Sequence, residues 1–193
     1  LAHTMFPLGD MNKHQTRMIA DQQNFYNADK PDSQDICFVP DGDYAGFIRR
    51  FTGKDYPAGD FTDKDGNVLG QHKGIIGYTV GQRKGLGAAF GKPVFVCGKD
   101  PVLNTVTLGE SSDLMSDVVE AEDINLISVP EIKGEMKVSA KIRYNMQAVS
   151  GTLTAVGDSR LRVKFDTPVR AAAKGQALVI YDGDTVVGGG KII

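Results

Sequence analysis

A chain of 193 residues, 41% of them hydrophobic, can fill one or two cored domains, and its 23 glycines and eight prolines favour short strands and turns over long helices. Two distant cysteines, Cys37 and Cys97, argue against a disulfide framework or a CxxC site, and the scattered His3, His14 and His72 argue against a zinc cluster. The net charge of -2 conceals an asymmetry: from Lys133 to Ile193 ten Lys/Arg face five Asp/Glu, whereas acids outnumber bases from Leu1 to Pro130. A basic tail of this kind suits an anionic partner.

No apolar run approaches the ~20 residues that cross a bilayer, and the start lacks the basic-then-apolar pattern of a signal peptide. With so few cysteines, a reducing cytoplasm is the expected compartment and no membrane partner is expected. The missing initiator Met leads us to expect a fragment of a larger protein.

In chain order, Phe6-Pro7-Leu8-Gly9-Asp10 reads as a loop before a helix. Asn12 is a candidate N-cap, with Gln15 at capping-box spacing; the helix is expected to end near Gln23, with Met18 and Ile19 on its apolar side. Asn24 to Gln34 is polar, and Pro31 prevents helix from continuing through it. Ile36 to Val39, which contains Cys37, is expected to be extended. Asp43 then caps a second helix whose apolar residues Tyr44, Phe47, Ile48 and Phe51 follow i, i+3, i+4, i+7, closed by Gly53.

From Tyr56 the period shortens. Phe61-Thr62 and Val68-Leu69 flank a hairpin turn at Asp65-Gly66. The apolar run Ile75 to Val80 leads into Gly81-Gln82-Arg83-Lys84-Gly85-Leu86-Gly87, and Val94–Gly98 and Thr105–Leu108 form strands around Asp100-Pro101. Ser111 to Glu131 is acidic and less regular, a reasonable domain boundary. In Met136 to Tyr144, Met136, Val138, Ala140, Ile142 and Tyr144 occupy one face, and Lys137, Ser139, Lys141 and Arg143 the other. Arg160 to Phe165 repeats the alternation with three outward bases. Ala177–Tyr181 and Thr185–Val187 pair across Asp182-Gly183-Asp184, and Gly188-Gly189-Gly190 marks a bulge, a close backbone approach or a tight barrel corner. Short strands at this spacing point to a small closed barrel.

Three features bear on chemistry. Cys37, between Ile36 and Phe38, has the ordinary reading of a small buried hydrophobe, and Asp32 and Asp35 oppose thiolate formation. The Gly81–Gly87 loop reads either as a phosphate cradle, with Arg83 and Lys84 neutralising the anion, or as a solvated turn; it is not a nucleoside-triphosphate loop. Lys137, Lys141, Arg143, Arg160, Arg162 and Lys164 form either a surface for an RNA backbone or a solvated barrel face.

Taken in order, Phe6–Asp10, Lys30–Phe38, Tyr78–Gly87, Lys141-Ile142-Arg143-Tyr144, Gly175-Gln176 and Tyr181–Asp184 with Gly188–Gly190 resemble the tRNA-specific 2-thiouridylase family along the whole chain. The resemblance implies a tRNA-uridine 2-sulfurtransferase that uses ATP to activate C2 of the wobble uridine and a cysteine persulfide to deliver sulfur. It implies that Cys37 bears the persulfide, loaded by a cysteine desulfurase or a sulfur-relay protein. It further implies that Arg143, Tyr144 and Gln176 contact tRNA, joined by Lys141, Arg83 and Lys84 on the residue reading. The family's Ser-Gly-Gly signature, first cysteine and adenylate pocket do not occur here. The expectation is therefore the C-terminal half of the enzyme, with neither cofactor nor metal of its own and inactive alone. The expected fold is α+β and mostly β: a helical remnant of the ATP-pyrophosphatase domain at 1–43, a central tRNA-binding domain at 44–110, and a translation-factor-like β-barrel at 111–193. The alternative is a non-catalytic RNA-binding barrel module.

Overall fold

A computed structural model of the chain describes residues 3–30, 36, 38, 39, 41–157 and 159–193. They form an α+β, mostly β chain with two helices, a four-stranded mixed sheet and a closed six-stranded barrel. The chain divides into Leu1–Phe47 and Ile48–Ile193. Among the described residues, no helix is long and apolar enough to cross a membrane.

In the first unit, α1 (Lys13–Gln22) starts on the expected capping box. Asn12 Oδ1 accepts from the Gln15 N–H at 3.0 Å, and Gln15 Oε1 accepts from the Asn12 N–H at 2.9 Å, satisfying two of the helix's orphan donors. The apolar side expected at Met18 and Ile19 is exposed, and α1 buries no residue. Of the piece expected to be extended, Ile36, Phe38 and Val39 are described and form no strand; the Val39 N–H donates to the Ile36 carbonyl. Helix α2 (Tyr44–Thr52) is capped by Asp43, whose Oδ1 accepts from the Gly46 N–H at 2.9 Å, and ends at Gly53 with φ of 63°. Of its apolar stripe Phe47 and Ile48 are half-buried, while Phe51 is 81% exposed.

The second unit begins with β1 (Gly59–Thr62), β2 (Val68–His72), β3 (Phe95–Asp100) and β4 (Thr105–Gly109), in the order β2-β1-β4-β3. The β1–β4 pair is parallel and the others antiparallel. Phe61 is fully buried on β1 and meets His72, Tyr78 and Phe90 edge-on, with centroids 5.2–5.7 Å away, the preferred geometry for aromatic pairs. His72 is buried with both nitrogens used: Nδ1 accepts from the Gly74 N–H, and Nε2 lies 3.0 Å from the Asn104 carbonyl. The β1–β2 turn is built by Asp63, whose carboxylate accepts from the Asp65 and Asn67 N–H groups and the Asn67 side chain. Ile75–Gly77 forms one 3-10 turn.

The barrel consists of β5 (Met115–Leu126), β6 (Met136–Lys141), β7 (Val149–Val156), β8 (Arg160–Arg170), β9 (Ala177–Asp182) and β10 (Thr185–Ile192), closed in the order β10-β5-β8-β7-β6-β9. Alternation on β6, β8 and β9 sends Val138, Ala140, Leu161, Val163, Phe165, Leu178 and Ile180 inward. Two expectations need correction. The segment expected to be irregular is the twelve-residue strand β5. Three of its four acids pair with neighbouring strands: Glu120 with Arg162, and Glu122 and Asp123 with Lys191. Tyr144 does not share the face of Ile142, because β6 ends at Lys141 and the chain turns, leaving Tyr144 93% exposed. The register shifts against β5 between Gly189 and Lys191 and against β9 between Val186 and Gly188, while Gly188–Gly190 pair regularly with Ile180, Val179 and Leu178. A Cβ at Gly188 or Gly190 would lie 2.5 Å from the Asn125 or Glu122 carbonyl, respectively, so β10 can approach β5 this closely only without side chains there.

Candidate nucleic-acid interface

Strand β9 projects Ala177, Val179 and Tyr181 outward between the fully buried Leu178 and Ile180. Its neighbour β6 places Lys141 opposite Val179 and Ser139 opposite Tyr181. Beyond Lys141 the turn carries Arg143 and Tyr144; the Met146 N–H donates to the Tyr144 carbonyl, and the Ile142 N–H to Met146 Sδ. Before β9, Gly175 has φ of 84°, and the Gly175–Gln176 backbone is tied to Ile192 by two hydrogen bonds of 2.8 Å. These elements enclose a groove of about 370 Å3 lined by Lys141, Arg143, Tyr144, Gln176, Ala177, Val179 and Tyr181.

Four expected contact residues, Lys141, Arg143, Tyr144 and Gln176, therefore meet in one groove although up to 35 positions separate them. Its lining combines two cations, an amide that offers both donor and acceptor, two apolar side chains and two aromatic rings. Bases for phosphate and flat faces for nucleobases are what single-stranded nucleic acid requires. The sequence marks Tyr181 as a landmark and strand end but not as a contact residue, and does not single out Val179; the alternation around Leu178 and Ile180 is the available signal.

The other basic residues are differently placed. Arg162 is engaged by Glu120, Lys137 Nζ donates to Thr152 Oγ1 at 3.0 Å, and Lys191 is held by Asp123 and then Glu122, whose hydrogen bonds raise its pKa. Between Met115 and Ile193 ten Lys/Arg meet ten Asp/Glu, so the tail's positive excess is balanced once β5 joins the barrel. Arg160 and Lys164 are exposed on β8 and do not line the groove.

Arg83 and Lys84 are exposed on the central loop and do not line the groove; Arg83 lines a separate cavity of about 450 Å3 with Leu86, Phe90 and Lys92. The loop is a braced turn. Gln82 Oε1 accepts from the Thr79 N–H, Gln82 Nε2 donates to the Lys84 carbonyl, and Leu86 is buried. The Gly81 and Gln82 N–H groups donate to the Val96 and Thr79 carbonyls, which takes both out of any phosphate cradle. Lys99 Nζ donates to the Tyr78 carbonyl at 2.8 Å, and burial pulls its pKa below the ordinary lysine value.

Cys37, with Asp32, Ser33, Gln34 and Asp35, lies outside the described residues. Cys97 is half-buried on β3; burial, and after it the Asp113 carboxylate, push its thiol pKa up, the opposite of a reactive thiolate. No group of metal-ligating side chains occurs among the described residues.

Comparison with known proteins places these features in a family. Three family models match in succession: a tRNA methyl transferase HUP domain at residues 1–41, a tRNA methyl transferase PRC-barrel domain at 45–110, and an aminomethyltransferase beta-barrel domain at 116–192. Curated relatives named tRNA-specific 2-thiouridylase MnmA match throughout. The Clostridioides difficile protein is 46% identical over 192 residues, and that of Lachnoclostridium phytofermentans 48% over 193. The Acetivibrio thermocellus protein is 48% identical over 192. Each match covers 100% of this chain and 53–54% of the relative, so the chain spans about half the length of the curated relatives it matches. Matched from end to end by these relatives, and by the three models in succession, the chain belongs to the tRNA-specific 2-thiouridylase family.

Proposed function

We propose that this chain supplies the tRNA grip and the sulfur-carrying cysteine of a tRNA-uridine 2-sulfurtransferase, which exchanges the C2 oxygen of the wobble uridine for sulfur. The observation that carries the reading is the convergence of Lys141, Arg143, Tyr144 and Gln176 in one groove of a family member. Lys141 and Arg143 neutralise phosphate, Tyr144 offers a ring, and Gln176 reads or orients a polar edge. Arg83 and Lys84 give a second contact from the central loop. Residues 1–43 carry Cys37, 44–110 form the central tRNA-binding domain, and 111–193 form the barrel.

Cys37 holds the transferable sulfur as a persulfide, received from a cysteine desulfurase or a relay protein. The nucleophile is then the terminal sulfur rather than the native thiol, which eases the opposition from Asp32 and Asp35. It bonds to C2 as the activated oxygen leaves; a second thiol then breaks the S–S bond, releasing the thiolated base and forming a disulfide with Cys37 that a thiol reductant reopens. ATP is the activating cofactor of the full-length enzyme and serves to make the C2 oxygen a leaving group. Among the described residues the glycine loop does not fit a triphosphate, its first two amides being used internally, so no step here runs through ATP. The reaction belongs to the cytoplasm, where tRNA and reduced thiols coexist.

The groove lies wholly in the barrel, which also suits a non-catalytic RNA-binding module; the two readings part at Cys37. In the full-length protein, Cys37→Ser is expected to abolish 2-thiouridine in tRNA while leaving tRNA binding intact. Normal thiolation by that variant would leave only the binding-module reading.

A further inference from the structure

We propose that Tyr181 is a base-stacking residue and that the groove takes an unpaired nucleotide of RNA; this rests on the RNA reading of the groove. Tyr181 lines two adjoining concavities. One is the groove of about 370 Å3; the other, of about 390 Å3, includes Lys137, Ser139, Ser150 and Asp166. Tyr181 is thus shared by a hollow lined by two cations and a hollow lined by Ser139, Ser150, Asp166 and Asp182 with one cation.

Lys137 is the second hollow's only basic lining residue, and its Nζ donates to Thr152 Oγ1. Phosphate is therefore favoured on the Lys141–Arg143 side of the ring. The groove itself is lined by Ala177 and Val179 together with Tyr181 and the exposed Tyr144. A double helix keeps base faces inside its own stack and offers a protein phosphates, sugars and base edges. A lining of apolar side chains and two tyrosines gains little from that surface. It does gain from the flat face of a base that has left its stack, with the attached phosphate against Lys141 or Arg143. Gln176 then meets the base edge with its amide. The ring's backbone is fixed from both sides, since Tyr181 pairs with Ser139 on β6 and Val186 on β10. A strand residue on a closed barrel suits stacking better than a loop residue, because little ordering remains to be done on binding.

The test uses the 193-residue chain and a short single-stranded RNA carrying the fluorescent base 2-aminopurine, beside the same strand in a duplex. Wild type is expected to prefer the single strand and to quench the base. Tyr181→Ala should weaken single-strand binding at least about fivefold and lose the quenching. Tyr181→Phe should keep both, and duplex binding should hardly change. Because the side chain points outward, thermal melting should stay close to wild type; should Tyr181→Ala fold poorly, Tyr181→Leu retains apolar bulk without a ring and must still lose the quenching. Unchanged binding by Tyr181→Ala, or equal losses on single strand and duplex, would overturn the stacking role. Arg143→Ala separates the two levels. If it weakens RNA binding while Tyr181→Ala does not, only the stacking fails; if neither variant matters, the RNA reading of the groove fails with it.

Discussion

Glu120 on β5 faces Arg162 on β8, and its Oε1 accepts from Nε at 2.8 Å and Nη2 at 2.6 Å. Glu120→Gln removes one of the ten acids that balance the ten bases between Met115 and Ile193, with almost no change in shape. The side chains are 26% and 47% exposed, so the pair contributes at most about 1 kcal/mol to stability, roughly 2–4 °C in melting temperature for a chain of this size. Its effect on RNA is set by distance. Strand β7 lies between β8 and β6, and Arg162 pairs with Thr154, beyond the Met136 end of β6, whereas the groove lies at its Lys141 end. Two strand spacings and about six residues of strand put Arg162 roughly 20 Å from the groove, about two Debye lengths at ~0.1 M salt. Titrating single-stranded RNA by fluorescence anisotropy across a salt series should therefore show less than about a twofold change for Glu120→Gln and an unchanged slope of log K against log salt. Arg143→Gln, in the groove, should lower that slope by about 0.7. A several-fold gain in affinity and a steeper slope for Glu120→Gln would mean that RNA runs over β8, refuting the placement of the grip between β6 and β9.

Other perturbations test the scaffold. Phe61→Ala removes the ring at the centre of the small sheet's core and should cost about 3–5 kcal/mol by chemical denaturation. Asp63→Ala should lower the melting temperature at neutral pH. The Asp63 carboxylate is held below its ordinary pKa of 3.8, first by the Asn67 side chain. The stabilisation is therefore present above that value and lost as pH falls through the lower folded one, so the deficit of the variant should shrink in acid. Cys97 should alkylate more slowly at mildly basic pH in the folded chain than in urea, because burial and Asp113 raise its thiol pKa; equal rates in both would contradict its placement.

Much of this architecture was legible in local chemistry. The capping box at Asn12, the cap at Asp43, the Asp65-Gly66 hairpin and the alternation of β6 and β8 are short-range patterns, and each appears in the fold. Lys141 to Tyr144 and Gly175-Gln176 were singled out as separate landmarks; that they meet follows from the β6–β9 pairing, which no single segment encodes. Strand β5 was hidden because Glu120, Glu122 and Asp123 depress β-propensity in isolation and are accommodated only by cations on β8 and β10. The same long-range pairing cancels the charge excess that made the whole tail look basic. At Gly81–Gly87 the glycine spacing was visible, but the brace by Gln82 that turns the loop inward on itself was not. Tyr144 left the alternating face for a reason set by strand length: β6 stops three residues earlier.

The most direct test of the central claim is the salt-dependent binding of tRNA by this chain with and without the groove's two cations. Wild type should bind at low ionic strength and weaken linearly in log–log form as salt rises. Lys141→Gln/Arg143→Gln should bind at least about tenfold more weakly and lose about 1.4 from the slope, two phosphate contacts' worth. A double variant with wild-type affinity and slope would show that tRNA is held elsewhere on the molecule.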